Sequence, residues 1–137
     1  MFEKALVARL RAVSNVTALF GTGTNLRVYP QAAPAKVALP YATYFRVSSD
    51  EEASASLDAA PAAIVWARLQ IDIWAPAYET AKDGDARLRA ALAGWSGTLL
   101  GIEILSGRRL GSRDLFEPDT QPPLHRVSSD YRVCFKI

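Results

Sequence analysis

The chain has 137 residues, enough for one domain that buries roughly two-thirds of the surface its unfolded form exposes, with no need of a disulfide or metal to hold it. Half of the residues are hydrophobic and 22% are charged, so the chain reads as a soluble globule, and a net charge of +2 is too small to argue nucleic-acid binding from composition. Cys134 is the single cysteine, which excludes an internal disulfide framework and a cysteine-based zinc site and fits a cytoplasmic assembly environment. No apolar run approaches the ~20 residues of a membrane span, and Met1-Phe2-Glu3-Lys4 lacks the basic-then-apolar plan of a signal peptide.

Residues 2–13 predict a helix, because Phe2, Leu6, Leu10 and Val13 recur at helical spacing with Lys4, Arg9 and Arg11 mostly off that stripe. Ser14 offers a hydroxyl to cap a short second helix over residues 15–20, which Gly21 and Gly23 stop. Residues 26–29 read as a short strand ended by Pro30, and the Ala/Pro-rich residues 31–40 as an extended connection without ladder pairing. Residues 41–48 alternate as a strand, with Tyr41, Thr43, Phe45 and Val47 on one face and Ala42, Tyr44, Arg46 and Ser48 on the other.

Residues 49–62 are rich in Ser, Ala, Asp and Glu and have no periodicity. Such a stretch lacks the apolar surface to fix itself, so it predicts a mobile hairpin loop that begins with the acidic run Asp50-Glu51-Glu52. From Ala63 to Trp74 the faces separate cleanly: Val65, Ala67, Leu69, Ile71 and Ile73 against Trp66, Arg68, Gln70, Asp72 and Trp74. An Ala-Pro-Ala-Tyr-Glu turn then feeds a helix to about Ala93, with Tyr78, Ala81, Leu88, Ala91 and Leu92 available to the sheet. Asp83-Gly84-Asp85 interrupts it; glycine costs ~1 kcal/mol relative to alanine in a helix interior, and Gly84 would serve by allowing close approach to the sheet. Residues 99–105 and 110–116 predict two short strands, residues 119–123 a loop, and residues 126–137 a last strand. In that strand Val127, Tyr131, Val133 and Phe135 oppose Arg126, Asp130, Arg132 and Lys136.

The order α-β-β-β-α-β-β-β predicts an α+β fold: one domain over residues 1–137, a mainly antiparallel sheet with helices packed on one face. Its other face would collect Arg46, Arg68, Gln70, Asp72, Asp130 and Arg132, with Trp66 and Trp74 at the ends. An antiparallel sheet can show such a face to water. Two tryptophans on it fit a subunit or partner interface better, together with the acidic run Asp50, Glu51 and Glu52.

No constellation demands catalysis, a cofactor or a metal. His125 is the only histidine, and no nucleophile turn surrounds Ser112, Ser128 or Cys134. Gly21-Thr22-Gly23-Thr24-Asn25 follows a helix and precedes a strand, the reverse of a phosphate cradle, and lacks its lysine. Asp114, Glu117 and Asp119 with His125 keep open an alternative, a small metal-dependent hydrolase or nuclease. A monomeric adaptor binding one partner through the polar face is a further alternative. Arg108, Arg109 and Arg113 form a basic patch that reads as a solvated or subunit-facing surface.

Several segments in order resemble the phage tail completion family, the small tail-terminator and tail-to-head joining proteins of long-tailed phages. They are Asn15-Val16-Thr17-Ala18-Leu19-Phe20-Gly21 with Arg27-Val28-Tyr29-Pro30, Leu39-Pro40-Tyr41-Ala42-Thr43-Tyr44, and Ala67-Arg68-Leu69-Gln70-Ile71-Asp72-Ile73-Trp74-Ala75-Pro76 with Tyr78-Glu79-Thr80-Ala81. Arg113-Asp114-Leu115-Phe116-Glu117-Pro118-Asp119-Thr120 and the closing Arg126-Val127-Ser128-Ser129-Asp130-Tyr131-Arg132-Val133 complete the set. The Asp83-Gly84-Asp85 insert and the long Ala/Pro-rich connection depart from the family's pattern. The resemblance implies a structural virion protein and not an enzyme: a hexameric ring on the head-proximal end of the tail tube, assembled in the host cytoplasm. Its partners would be the tail tube protein, the head connector protein, and duplex DNA passing through the lumen without sequence readout.

Overall fold

A computed structural model of the protein describes residues 1–52 and 64–136. In chain order the elements are α1 (Phe2–Ala12), α2 (Ser14–Phe20), a 3-10 turn (Gly23–Asn25), β1 (Val28–Pro30), β2 (Tyr41–Glu52), β3 (Ile64–Ala75), α3 (Tyr78–Leu92), β4 (Gly97–Leu99), β5 (Ile102–Glu117) and β6 (Leu124–Lys136). The six strands form one sheet in the order β1-β2-β3-β6-β5-β4. Only the β1–β2 pair is parallel. The fold is α+β.

Alternation in β3 decides which face is covered. Val65, Ala67, Leu69, Ile71 and Ile73 are all buried, and the same face of β6 buries Tyr131, Val133 and Phe135. The three helices lay their apolar stripes on this surface: Phe2, Leu6 and Leu10 from α1, Val16 and Phe20 from α2, and Leu88, Ala91 and Leu92 from α3 join one core. Phe2 stacks on Phe135 with centroids 4.5 Å apart, which anchors the start of α1 to the end of β6. Arg27 ties the connections together, donating to the carbonyl oxygens of Leu19 (2.8 Å) and Pro40 (2.9 Å).

Four expectations change. Ser14 lies inside α2, and Val13 occupies the cap position without a side-chain hydrogen bond. Residues 49–52 extend β2: Asp50 pairs with Trp66 and Glu52 with Ile64, so ladder hydrogen bonds order what composition alone left unfixed. The rest of the expected mobile loop, residues 53–62, lies outside the described residues. Residues 99–105 and 110–116 are not two separate strands. A turn at Leu100-Gly101 divides β4 from β5, and β5 then runs unbroken for 16 residues through Gly107 and Gly111, with bulges at Leu105 and Leu110. As expected, α3 runs on through Asp83-Gly84-Asp85 to Leu92. A Cβ on Gly84 would stand 3.1 Å from both Ile73 Cγ2 and Phe20 Cζ, so glycine there permits the close approach of α3 to the sheet and to α2. Tyr78, expected to face the sheet, is 48% exposed.

Candidate assembly face

The sheet face away from the helices is built from alternate residues of four long strands, and the registers place them in rows. Thr43, Asp72, Ser128 and Arg113 stand level, as do Phe45, Gln70, Asp130 and Gly111. In the next row Ser48, Arg68, Arg132 and Arg108 lie side by side. Directly opposed like charges on an antiparallel pair destabilise it, with Cβ atoms ~5 Å apart. Two of the three arginines are locally compensated. Arg68 pairs with Asp130 at 2.8 Å, and the Arg132 guanidinium lies 4.5 Å from the Trp66 ring centre. Arg108 makes no hydrogen bond or ion pair among the described residues.

At the other end of the face Arg126 organises the site. It pairs with Asp72 at 2.7 Å, approaches Glu117 at 3.9 Å, and stacks 4.7 Å over Trp74, which in turn stacks on Tyr41. Gln70 donates to Asp72 at 3.2 Å. Tyr41, Thr43, Phe45, Asp72, Trp74 and Arg126 line a cleft of about 420 Å³. The Trp74 indole N–H is buried there without a hydrogen-bond partner among the described residues.

The predicted interface residues divide accordingly. Trp66, Arg68, Gln70, Asp72, Trp74, Asp130 and Arg132 share the open face, and Asp50 joins them at its β2 edge. Arg46 does not. It pairs with Leu69 in register and so emerges on the helix-covered side. There it binds Glu3 at 2.8 Å, with its guanidinium 5.8 Å from the rings of Phe2 and Phe135. Its long apolar stem is suited to that covered rim. Glu51, paired with Val65, also lies on that side. Both tryptophans carry an arginine on their ring faces, which accounts for part of their placement without a partner.

A second polar cluster lies under α3 and was not readable from sequence. Asp85 is 6% exposed, pairs with Arg109 at 2.5 Å and accepts from the Ser129 hydroxyl at 2.6 Å. A bulge at Leu105 shifts the alternation of β5, so that Arg109 turns inward and Arg108 lies on the open face; period-two counting separates the two neighbours but does not say which of them is covered. Two carboxylates of the hydrolase alternative, Asp114 and Glu117, are engaged in other contacts. Asp114 accepts from Tyr78 (2.9 Å) and Lys82 (3.1 Å), which holds its pKa below the ordinary value. His125 packs between the rings of Phe116 and Tyr78. Among the described residues no three metal-ligating side chains converge.

The model of the family described as tail completion protein gp17 matches residues 4–136. The chain belongs to the tail completion protein gp17 family. It is accordingly a structural tail protein with a role in virion assembly. A solved chain from the "Virion of native gene transfer agent (GTA) particle" shares the fold, with a TM-score of 0.68 at 20% identity over 98% of this chain and 94% of that one. No curated protein matches the sequence. No helix among the described residues is long and apolar enough to cross a membrane.

Proposed function

We propose that this tail completion protein forms a hexameric ring on the head-proximal end of a phage tail tube, ends tube growth there, and joins the tail to the head connector. The observation that carries the reading is the family match over nearly the whole chain. The open sheet face supports the further step. Arg68, Arg108, Arg113 and Arg132 give this face a cationic surface that fits a polyanion at close range, and duplex DNA in the ring's lumen would meet it through its phosphates without base readout. Trp66, Arg68, Gln70, Asp72, Trp74, Asp130 and Arg132 line that face, with Asp50 at its edge. Assembly takes place in the host cytoplasm, and the finished ring is a virion component.

Deleting the gene from its phage or prophage tests the reading by electron microscopy of the lysate. The expected result is tails of uncontrolled length, or finished tails detached from filled heads, with the wild-type gene restoring joined particles. Normal tails on normal heads in the deletion strain would sink it.

A further inference from the structure

The two long edges of the sheet are incomplete, and each lacks what the other supplies. On one side β1 covers only Ala42–Tyr44 of β2, so residues 45–52 have no outer strand among the described residues. On the other, β4 covers only Ile102–Ile104 of β5, and Gly107 accepts from the Gly94 N–H. Residues 108–115 are therefore also open. Each stretch has eight residues with one bulge, at Val47 and at Leu110, leaving seven ladder positions apiece. Such edges invite pairing with another chain, and neither is blunted by proline. The acidic residues Asp50, Glu51 and Glu52 mark the first, and Arg108 and Arg113 mark the second, Arg109 being held by Asp85 beneath α3. Phe45, Val47, Leu110 and Leu115 are exposed by 36–46% along them.

We infer that the β2 edge of one copy pairs with the β5 edge of a second copy of this chain, continuing the sheet from subunit to subunit. This inference rests on the ring proposed above and assigns its joint. β2 and β5 are separated by three antiparallel steps and run in opposite directions. Copies related by rotation about an axis near the strand direction therefore meet in antiparallel register, the more stable pairing. A slide of four ladder positions aligns the two free stretches end to end. In register it brings position 52 level with Arg108, and on the open face it sets Asp50 opposite Gly111, Ser48 opposite Arg113 and Phe45 opposite Leu115. On the covered face it sets Glu51 opposite Arg109 and Arg46 opposite Asp114. No like charges oppose each other, and one apolar pair, Phe45 and Leu115, meets.

The slide also has a geometric consequence. Four residues at ~3.4 Å each, across four strand spacings of ~4.8 Å, correspond to a strand tilt of about 35°. Closed barrels use tilts of about 35–45°. A joint of this kind is head-to-tail, which gives a ring where the rotation closes and an open filament where it does not. Six copies of the four long strands would give about 24 strands, more than the ~16–18 that already enclose an aqueous channel.

Charge reversal tests the joint, read as mass by light scattering over a concentration series, with circular dichroism confirming the fold of each variant. The wild type is expected as a closed ring. R108E/R113E makes both edges acidic and is expected to weaken association by at least about 100-fold. Adding D50K/E52K, which restores complementarity with the signs exchanged, is expected to recover the ring. Should R108E/R113E fold poorly, E52C/R108C is expected to give interchain disulfides on oxidation, while K4C/R108C gives none. A ring that persists unchanged in R108E/R113E, or a folded E52C/R108C ring that does not cross-link, would overturn this joint and leave the tail-ring function standing. A wild-type chain that stays monomeric at every concentration would overturn the ring, and the joint with it.

Discussion

At the residue scale, burial separates charges that matter for stability from those that do not. Asp85 is held by Arg109 and Ser129 beneath α3, with both partners away from solvent. Asp85→Ala would strand a buried guanidinium and is expected to cost about 3–5 kcal/mol in urea unfolding. Arg68→Ala, which breaks a half-exposed pair with Asp130, should stay within about 1 kcal/mol by the same measurement. Tyr131 makes a pH-dependent contribution. It is fully buried, its hydroxyl has no hydrogen-bond partner among the described residues, and desolvation raises its pKa above the ordinary value of 10.0. Folding therefore favours the neutral phenol. The contribution is complete below pH 10 and is lost as pH rises from there toward the folded-state pKa. Tyr131→Phe is expected to flatten the fall in stability above pH 10, and to leave stability at pH 7 unchanged or slightly higher because no hydrogen bond is lost. Equilibrium unfolding across pH 7–11 measures both.

At the element scale, the helices hold to the sheet through close approaches that sequence periodicity only partly reveals. The stripe Phe2, Leu6 and Leu10 was legible, and Leu6→Ala should lower stability by about 2–5 kcal/mol, as expected for a cavity in a packed core. Gly107 was not legible as a packing residue. It lies in β5 where the end of α3 comes down, and a Cβ there would stand 2.3 Å from the backbone oxygen of Leu92. Backbone cannot yield as a side-chain tip does, so Gly107→Ala is expected to destabilise by about 1–3 kcal/mol and lower the thermal midpoint in calorimetry. An unchanged midpoint would show that the helix end shifts without cost. Gly84 was legible for the reason the structure bears out, since α3 packs too near Ile73 and Phe20 for a side chain.

At the scale of the whole molecule, a sheet with one helix-covered face and two unfinished edges is half of an assembly problem. The helices satisfy the apolar face, while among the described residues the open face and edges keep uncompensated groups: Arg108, the Trp74 indole N–H, and the unpaired stretches of β2 and β5. If opposite charges along the edges steer assembly, ionic strength should control it. Raising salt from 0.05 M to 1 M, where the screening length falls to ~3 Å, is expected to shift sedimentation toward smaller species. Sedimentation unaffected by salt would assign the association to apolar contact alone.

The α+β class, the strand–helix order and the two faces of β3 and β6 were determined by the sequence by itself. Each depends on neighbours two to four residues apart, and those neighbours are printed in the chain. The family was legible for the same reason, because its segments recur in order along the chain. Tertiary structure alone decided the register between strands. Arg46 belongs to the covered side because β2 aligns it with Leu69, and Arg109 rather than Arg108 is the covered one of the pair because a bulge at Leu105 shifts the alternation of β5. It alone brought Asp85 to Ser129, 44 residues away, and ordered Asp50, Glu51 and Glu52 by pairing them with β3. Periodicity is a short-range property of the chain. Pairing and burial are set by partners the chain reaches only when it folds, and the open edges of the sheet became visible only after every other strand had found its neighbour.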